Sequence, residues 1–236
     1  MKNRISVFYQ KLKEWCFKNP KKAIFFAICI VLYYFSLPQI LFNDPFSTVI
    51  ESNEGELLGA QIASNGQWRF PEQDSVPIKF KQCILFFEDE YFRWHPGFNP
   101  VSIINAMSQN QKNTKAVRGA STLTQQVIRL SRKNKKRSYG EKIIELLLAT
   151  RLEMRYSKDK ILNLYAAHAP FGGNTVGLEM ATWRYFGVQP QQLSWAQSAT
   201  LAVLPNAPSL IYPGKNQSLL LAKRNLLLLK YIELLT

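Results

Sequence analysis

The sequence predicts a mainly α-helical domain with a small β element on its N-terminal side, preceded by one membrane-spanning helix. Three observations predict it. From Pro77 onward most segments repeat apolar residues at helical spacing. Before that, "STVIESNEGELLGAQIASNGQWRFP" (47–71) alternates apolar and polar residues on both sides of "NEG", the pattern of a β-hairpin. Earlier still, "AIFFAICIVLYYFSLPQILF" (23–42) runs without a charge for about the length of one bilayer crossing.

Residues 1–22 form a basic tail with seven Lys/Arg against Glu14. Lys18, Lys21 and Lys22 precede the apolar run and Asp44 follows it, so the positive-inside rule puts the N-terminus in the cytoplasm and everything after about Asn43 outside. A cleaved signal peptide is the rival reading, disfavoured by the long basic lead-in and the lack of a small-residue cleavage site. Residues 43–76 are then a juxtamembrane hairpin region, with a second turn at Asn65-Gly66, and residues 77–236 the main helical domain. Within that domain "VSIINAMSQ", "STLTQQVIRL", "GEKIIELLLATRLEMRY", "SKDKILNLYAAH" and "TVGLEMATWRYFG" have helical spacing. "LSWAQSATLAVLP" opens on a capping box, Ser194 to Gln197, and stops before Pro205. Ser108 to Gly119 is polar and unperiodic, the signature of a loop. The chain ends inside an apparent helix, so a truncated C-terminal end is one expectation.

The net charge of +14 is concentrated in two places, the N-terminal tail and residues 129–137, which hold six Lys/Arg and no acid. That placement suits a membrane surface better than nucleic acid. Cys16, Cys29 and Cys83 fall so that only Cys83 faces the outer compartment, and no intrachain disulfide is expected. His95 and His168 stand 73 positions apart, without a zinc pattern; any metal would need oxygen ligands.

"FFEDEYFRWHPG" (86–97) crowds carboxylates among aromatic rings, an arrangement that costs free energy unless a carboxylate is wanted beside an apolar wall. Glu88, or a neighbour Asp89 or Glu90, is one candidate. Glu145 is the other: Ile143, Ile144, Leu146, Leu147, Leu148, Ala149 and Leu152 nearly encircle its helix, which predicts a helix buried in the middle of the domain. An ion pair with Lys142 or Arg151 is the structural alternative for Glu145. Two carboxylates facing one cleft suit glycoside chemistry. In "RGASTLTQQVIRLSRKNKKR" a Gly-Ala-Ser-Thr approach to a helix offers backbone N–H groups and hydroxyls to an anion, with Arg118, Arg129 and Lys142 as converging cations and phosphate as the obvious guest. An ordinary capped helix with a solvated basic tail is the plain alternative. It is neither a P-loop nor a hydrolase elbow. "PFGGNTVG" (170–177) reads as a tight turn between helices.

Taken in order, "EDEYFRWHPG", "RGASTLTQQ", "EKIIELLLATRLEMRYSKDKILNLY", "FGGNTVGLEMATWRYFG" and "LSWAQSATLAVLPNAPSLIYP" resemble the five motifs of the family 51 glycosyltransferase domain, the peptidoglycan-polymerising part of class A penicillin-binding proteins, in forms closest to the 1C type. That resemblance implies a lysozyme-like fold on the outer side of the bacterial cytoplasmic membrane, joining lipid II into glycan strands by inverting transfer from a lipid-pyrophosphate-linked donor to an acceptor 4-hydroxyl. It implies Glu88 as general base and Glu145 as the donor-side carboxylate, with Arg118, Ser121, Thr122, Gln126, Arg129 and Lys142 lining the cleft. Glu141 and Ala167 depart from the pattern, where a basic residue and Asn are usual. Apolar groups including Phe92, Trp94, Phe98, Ile103 and Met107 are candidates to dip into the bilayer, with plain core as the alternative.

No cofactor is required by these residues, and a divalent Mg or Mn at the pyrophosphate is compatible with the family. The implied partners are lipid II, the growing lipid-linked glycan, membrane lipid and cell-wall synthesis proteins. No nucleic acid is implied. The sequence has no Lys-Thr-Gly, so penicillin binding by these residues is not expected. A lysozyme-like glycan hydrolase and an inactive membrane scaffold stand as alternatives.

Overall fold

A computed structural model describes residues 2–102, 104, 121–136 and 138–235, which fall into two compact units, one through Leu41 and one from Phe42. The first unit contains α1 (Lys2–Lys18) and α2 (Pro20–Tyr34). Helix α2 is shorter than the apolar run. It spans 15 residues, and among the described residues no helix is long and apolar enough to cross a membrane. The expected helix over 23–42 therefore stops at Tyr34. The Ser36 hydroxyl donates to the Tyr33 carbonyl at 2.7 Å, and Pro38 disfavours helical geometry at the residue before it. What does hold is the all-round apolar surface of α2: none of its residues is buried, and Ile24, Phe25, Phe26, Ile28, Ile30, Val31 and Leu32 are exposed.

In the second unit β1 (Thr48–Glu51) and β2 (Leu57–Gln61) form the expected antiparallel hairpin, pairing Thr48 with Gln61 and Ile50 with Gly59. Gly55 closes it at φ +79°. After the second turn, β3 (Trp68–Arg69) joins a three-stranded sheet of order β3-β5-β4, with β4 at Pro170–Gly172 and β5 at Thr175–Val176. The "FGGN" stretch is thus a small hairpin, where the sequence predicted only a turn. Gly172 and Gly173 take φ +107° and +57°.

The helices are α3 (Ile78–Glu88), α4 (Leu123–Ser131), α5 (Tyr139–Arg155), α6 (Lys158–His168), α7 (Leu178–Phe186), α8 (Trp195–Val203) and α9 (Gln217–Leu235), with a 3₁₀ turn at Pro190–Gln192. Hydroxyl caps start most of the central ones. Thr122 accepts from Gln125 N, Ser138 from Glu141 N and Ser157 from Lys160 N. The Ser194/Gln197 capping box starts α8 as predicted. The core is built from Phe80 and Ile84 of α3, Leu123, Val127 and Ile128 of α4, Leu152 of α5, Ile161 and Tyr165 of α6 and Leu201 of α8, all essentially inaccessible. The helix expected over 101–109 and the loop over 108–119 lie largely outside the described residues.

Helix α5 overturns one expectation. It is not buried in the middle of the domain: Tyr139, Ile143, Leu147 and Met154, one face at four- and seven-residue spacing, are 94%, 61%, 50% and 72% exposed. Its buried residues are Glu145, Ala149, Arg151 and Leu152. The helix turns its carboxylate inward because α4 presents cations to it, and the apolar stripe consequently faces out.

The loop from Asp89 to Asn99 is clamped between α4 and α5. His95 Nε2 meets the Asp89 carboxylate at 2.9 and 3.1 Å, and Thr122 Oγ1 donates to the Gly97 carbonyl at 2.7 Å. Lys158 Nζ donates to the His95 carbonyl at 2.7 Å, and to Glu153 at 2.7 Å. Gly97 has φ +92°, and a Cβ there would meet the Ala149 carbonyl group at 2.8 Å. Gly97→Ala is therefore expected to destabilise the protein by roughly 2 kcal/mol or more, from a disfavoured backbone conformation and a backbone clash together. Thermal unfolding measures it, with Gly140→Ala, an unstrained and uncrowded position, as the control that should stay close to wild type.

Candidate active site

Helix α4 organises the site. Its first amide, Leu123 N, donates to Asp89 Oδ2 at 2.9 Å, and its third, Gln125 N, to Thr122 Oγ1 at 3.2 Å. A carboxylate at a helix N-terminus is electrostatically favourable, so this end of α4 is already occupied by the protein itself. The Leu123 and Gln125 amides are thus engaged within the protein, and Thr122, which is buried, belongs to that cap. The rest of the expected anion site, Arg118, Gly119 and Ala120, lies outside the described residues.

Three residues apart on one face of α4, Gln126 and Arg129 each hold a carboxylate. Gln126 Nε2 donates to Glu88 Oε2 at 2.8 Å. Arg129 grips Glu145 with two parallel bonds, Nε to Oε1 at 2.9 Å and Nη2 to Oε2 at 3.0 Å. Lys142 adds a contact to Glu145 Oε2 at 3.3 Å and donates to Ser121 Oγ at 2.8 Å and Gln125 Oε1 at 2.6 Å. Arg129 also reaches Ser121 Oγ at 3.3 Å. The structure thus brings Glu88, Glu145, Ser121, Gln126, Arg129 and Lys142 onto one helix and its two neighbours.

The two carboxyls are in opposite electrostatic states. Burial pushes the Glu88 carboxyl up, reinforced by the adjacent Asp89, and hydrogen bonding from Gln126 and the nearness of Lys223 and Asn206 only partly offset it. Glu88 Oε1 is shielded from solvent and has no hydrogen bond of ordinary length among the described residues. Glu145 is only 4% exposed, and burial also pushes its carboxyl up. The hydrogen bonds and charges of Arg129 and Lys142 outweigh that, holding it below the usual carboxylate range. Glu141, the acid at an unexpected position, is neutralised by Arg132 through bonds of 2.6 and 3.0 Å. The local field stays positive.

Several groups escaped the sequence reading. Asp89, the alternative carboxylate candidate, is paired with His95 and helps to lock the loop. The Ser157-Lys158-Asp159-Lys160 run has Ser-x-x-Lys spacing, but Ser157 caps α6. Glu179 is a further, half-buried carboxyl, pushed up to about 7 by burial and by Glu51; only its place at the start of an amphipathic helix hinted at this. The donor chemistry does not fit a divalent cation. Among the described residues no three His, Cys, Asp or Glu side chains cluster, and both Glu145 oxygens are engaged by Arg129.

A small helical domain with one proton-avid carboxyl and a second carboxyl embedded in cations has the arrangement of a group-transfer site. The transglycosylase family model matches residues 54–231, and the chain belongs to that family, the glycosyltransferase domain of class A penicillin-binding proteins. It is similar to penicillin-binding protein 1C of Escherichia coli (strain K12), 39% identical over 168 residues that make up 71% of this chain and 22% of that protein. It is also similar to penicillin-binding protein 1A/1B of Bacillus subtilis (strain 168), 32% identical over 196 residues, 82% of this chain and 21% of that protein. The chain spans about a fifth of the length of these relatives. A crystal structure of penicillin-binding protein 1A from Haemophilus influenzae aligns over 79% of this chain and 18% of that one, with 18% identity and a TM-score of 0.40.

The opposite states of the carboxyls have opposite consequences for stability. Glu88 has a raised folded-state pKa, so its ionisation opposes folding, and Glu88→Gln is expected to raise Tm at pH 7 but not below about pH 4, where the carboxyl is protonated in both states. Glu145 has a lowered pKa, so its stabilisation is full above about pH 4.3 and fades as pH falls through the folded value. Arg129→Leu is expected to cost about 3 kcal/mol at pH 7, with the deficit shrinking in acid. Tm measured against pH for both variants tests the pair.

Proposed function

We propose that this domain polymerises lipid II into glycan strands by inverting transfer, in a lysozyme-like fold. The observation that carries the proposal is the asymmetry of the two carboxyls on one face of α4. A sugar hydroxyl is a poor nucleophile and needs a base at the acceptor. Glu88, with raised basicity and with Oε1 lacking an ordinary hydrogen bond among the described residues, is suited to take the acceptor 4-hydroxyl proton. A pyrophosphate leaving group needs its developing charge neutralised more than it needs a proton. Arg129 and Lys142, already drawn together by Glu145, are suited to receive that charge, with Ser121 bridging them. Glu145 then acts on the donor side by holding the cations in register. Gln126 orients the base, and Thr122 contributes through the cap of α4; Arg118 is assigned to the substrate by the family resemblance alone.

The oxygen that leaves the donor departs on the lipid pyrophosphate, the acceptor oxygen forms the new glycosidic bond at the inverted anomeric carbon, and the released proton goes to Glu88. Arg129 and Lys142 supply the positive charge. A hydrolase would have no use for the Arg129–Lys142 cluster.

Membrane attachment belongs to the same proposal. The run from Ala23 to Phe42 seats in the bacterial cytoplasmic membrane, with the N-terminus inside and the domain on the outer face, supported by the exposed apolar surface of α2. Membrane lipid also covers the outward stripe of α5, flanked by exposed Lys133, Lys135 and Lys136. Cell-wall synthesis proteins are further partners.

With labelled lipid II in detergent, the wild-type chain is expected to form polymer, and Glu88→Gln to lose at least ~10²-fold in rate while unfolding cooperatively. Wild-type polymerisation by Glu88→Gln rules out the base; shortened glycan from finished peptidoglycan points to a hydrolase. For the lipid contact, Ile143→Glu with Leu147→Glu is expected to weaken binding to vesicles containing anionic lipid, and unchanged flotation counts against it.

A further inference from the structure

The Glu88 carboxyl is faced by more than its own motif. Gln126 of α4 donates to Oε2 at 2.8 Å. Asp89 follows it in the chain and raises its proton affinity, and Tyr165 of α6 feels its charge. From the opposite direction come Asn206, in the loop after α8, and Lys223, in the second turn of α9, both favouring the ionised form. These two are bonded to each other: Lys223 Nζ donates to Asn206 Oδ1 at 3.1 Å.

That bond fixes the orientation of the amide. A lysine ammonium has donors and no acceptor, so the Asn206 atom it meets must be the oxygen. The Asn206 NH₂ is then the end left for a carboxylate. An ionised Glu88 is an acceptor alone and a stronger one than the protonated carboxyl, so an amide pinned this way favours the proton-accepting form. The Asn206 contact is looser than the Gln126 bond, because Oε1 has no partner at ordinary hydrogen-bond length.

We propose that Asn206 and Lys223 are positioning residues for the glycosyl transfer, the Lys223 ammonium holding the Asn206 amide so that its N–H donors face Glu88 and keep that carboxylate ready to accept a proton. The inference rests on the reading of Glu88 as the base. It also makes α9 part of the site. That helix is tied to the base-bearing helix by Tyr231, whose ring packs edge-on against Phe86 of α3 at 5.8 Å and beside Trp195 of α8 at 5.3 Å.

The test is the pH dependence of kcat/KM for lipid II polymerisation by the full chain in detergent. In Asn206→Ala the midpoint of the acid limb is expected to rise by about half to one unit, with rates recovering at higher pH. Lys223→Met is expected to shift it in the same direction by at least as much, because it removes both the ammonium charge near Glu88 and the hold on the amide. The double variant should shift by less than the sum of the two, because part of the Lys223 effect passes through Asn206. Lys223→Arg should return the limb to its wild-type place. Asn206 is exposed and Lys223 half-buried, so folding should hold in all four, which Tm checks. Unmoved acid limbs, or shifts that add in full, overturn the inference. Glu88→Gln is run alongside. If it is inactive while the limbs stay put, only the positioning role falls; if it polymerises at the wild-type rate, the base assignment itself falls.

Discussion

Everything at the site depends on one nine-residue helix holding two acids by two kinds of partner. A neutral amide leaves a shielded carboxyl avid for a proton; a guanidinium fork favours the charged form of another. Gln126 and Arg129 differ in charge and stand one turn apart on the same face, so the contrast is built into a single rigid element. The direction of that element is set in turn by Asp89 and Thr122 at its first turn and by the Gly97 carbonyl beneath it. Loop, helix and acid pair form one hydrogen-bonded assembly.

Much of this was legible in the sequence, for reasons that differ by element. The β1–β2 hairpin could be read because alternation and turn glycines are local, and the α8 start because a Ser-x-x-Gln box is local too. The pairing of Glu145 was half legible. A carboxylate in an apolar helix must find a counter-charge, and Lys142 was in view, but the dominant partner, Arg129, comes from another helix. Residues that meet only in three dimensions left no trace: His95 with Asp89, and Lys223 with Asn206.

Two departures from the sequence pattern share a cause. The apolar run over 23–42 predicts one helix and the apolar ring around α5 predicts burial, but hydrophobicity alone does not dictate regular packed structure. Helix α2 ends ahead of Ser36 and Pro38, and α5 turns to satisfy its one buried charge before it satisfies its many methyl groups. Leaving a carboxylate unpaired in the interior costs several kcal/mol, whereas an exposed Ile or Leu forgoes roughly 1.5–3 kcal/mol of burial. The inward-facing arc of α5 also carries Ala149 and Leu152 into the core, so the orientation that pairs Glu145 sacrifices little packing there.

The adjacency of Glu88 and Asp89 shows how finely neighbouring acids can be distinguished. Two consecutive positions carry acids that differ by one methylene, yet their surroundings make contrary demands. One is driven toward its protonated form by burial; the other tethers Leu123 and His95. Exchanging the two would preserve composition, charge and hydropathy to the last decimal and still lose both roles. A substitution matrix that scores Glu and Asp as near-equivalents is blind to the distinction at this pair.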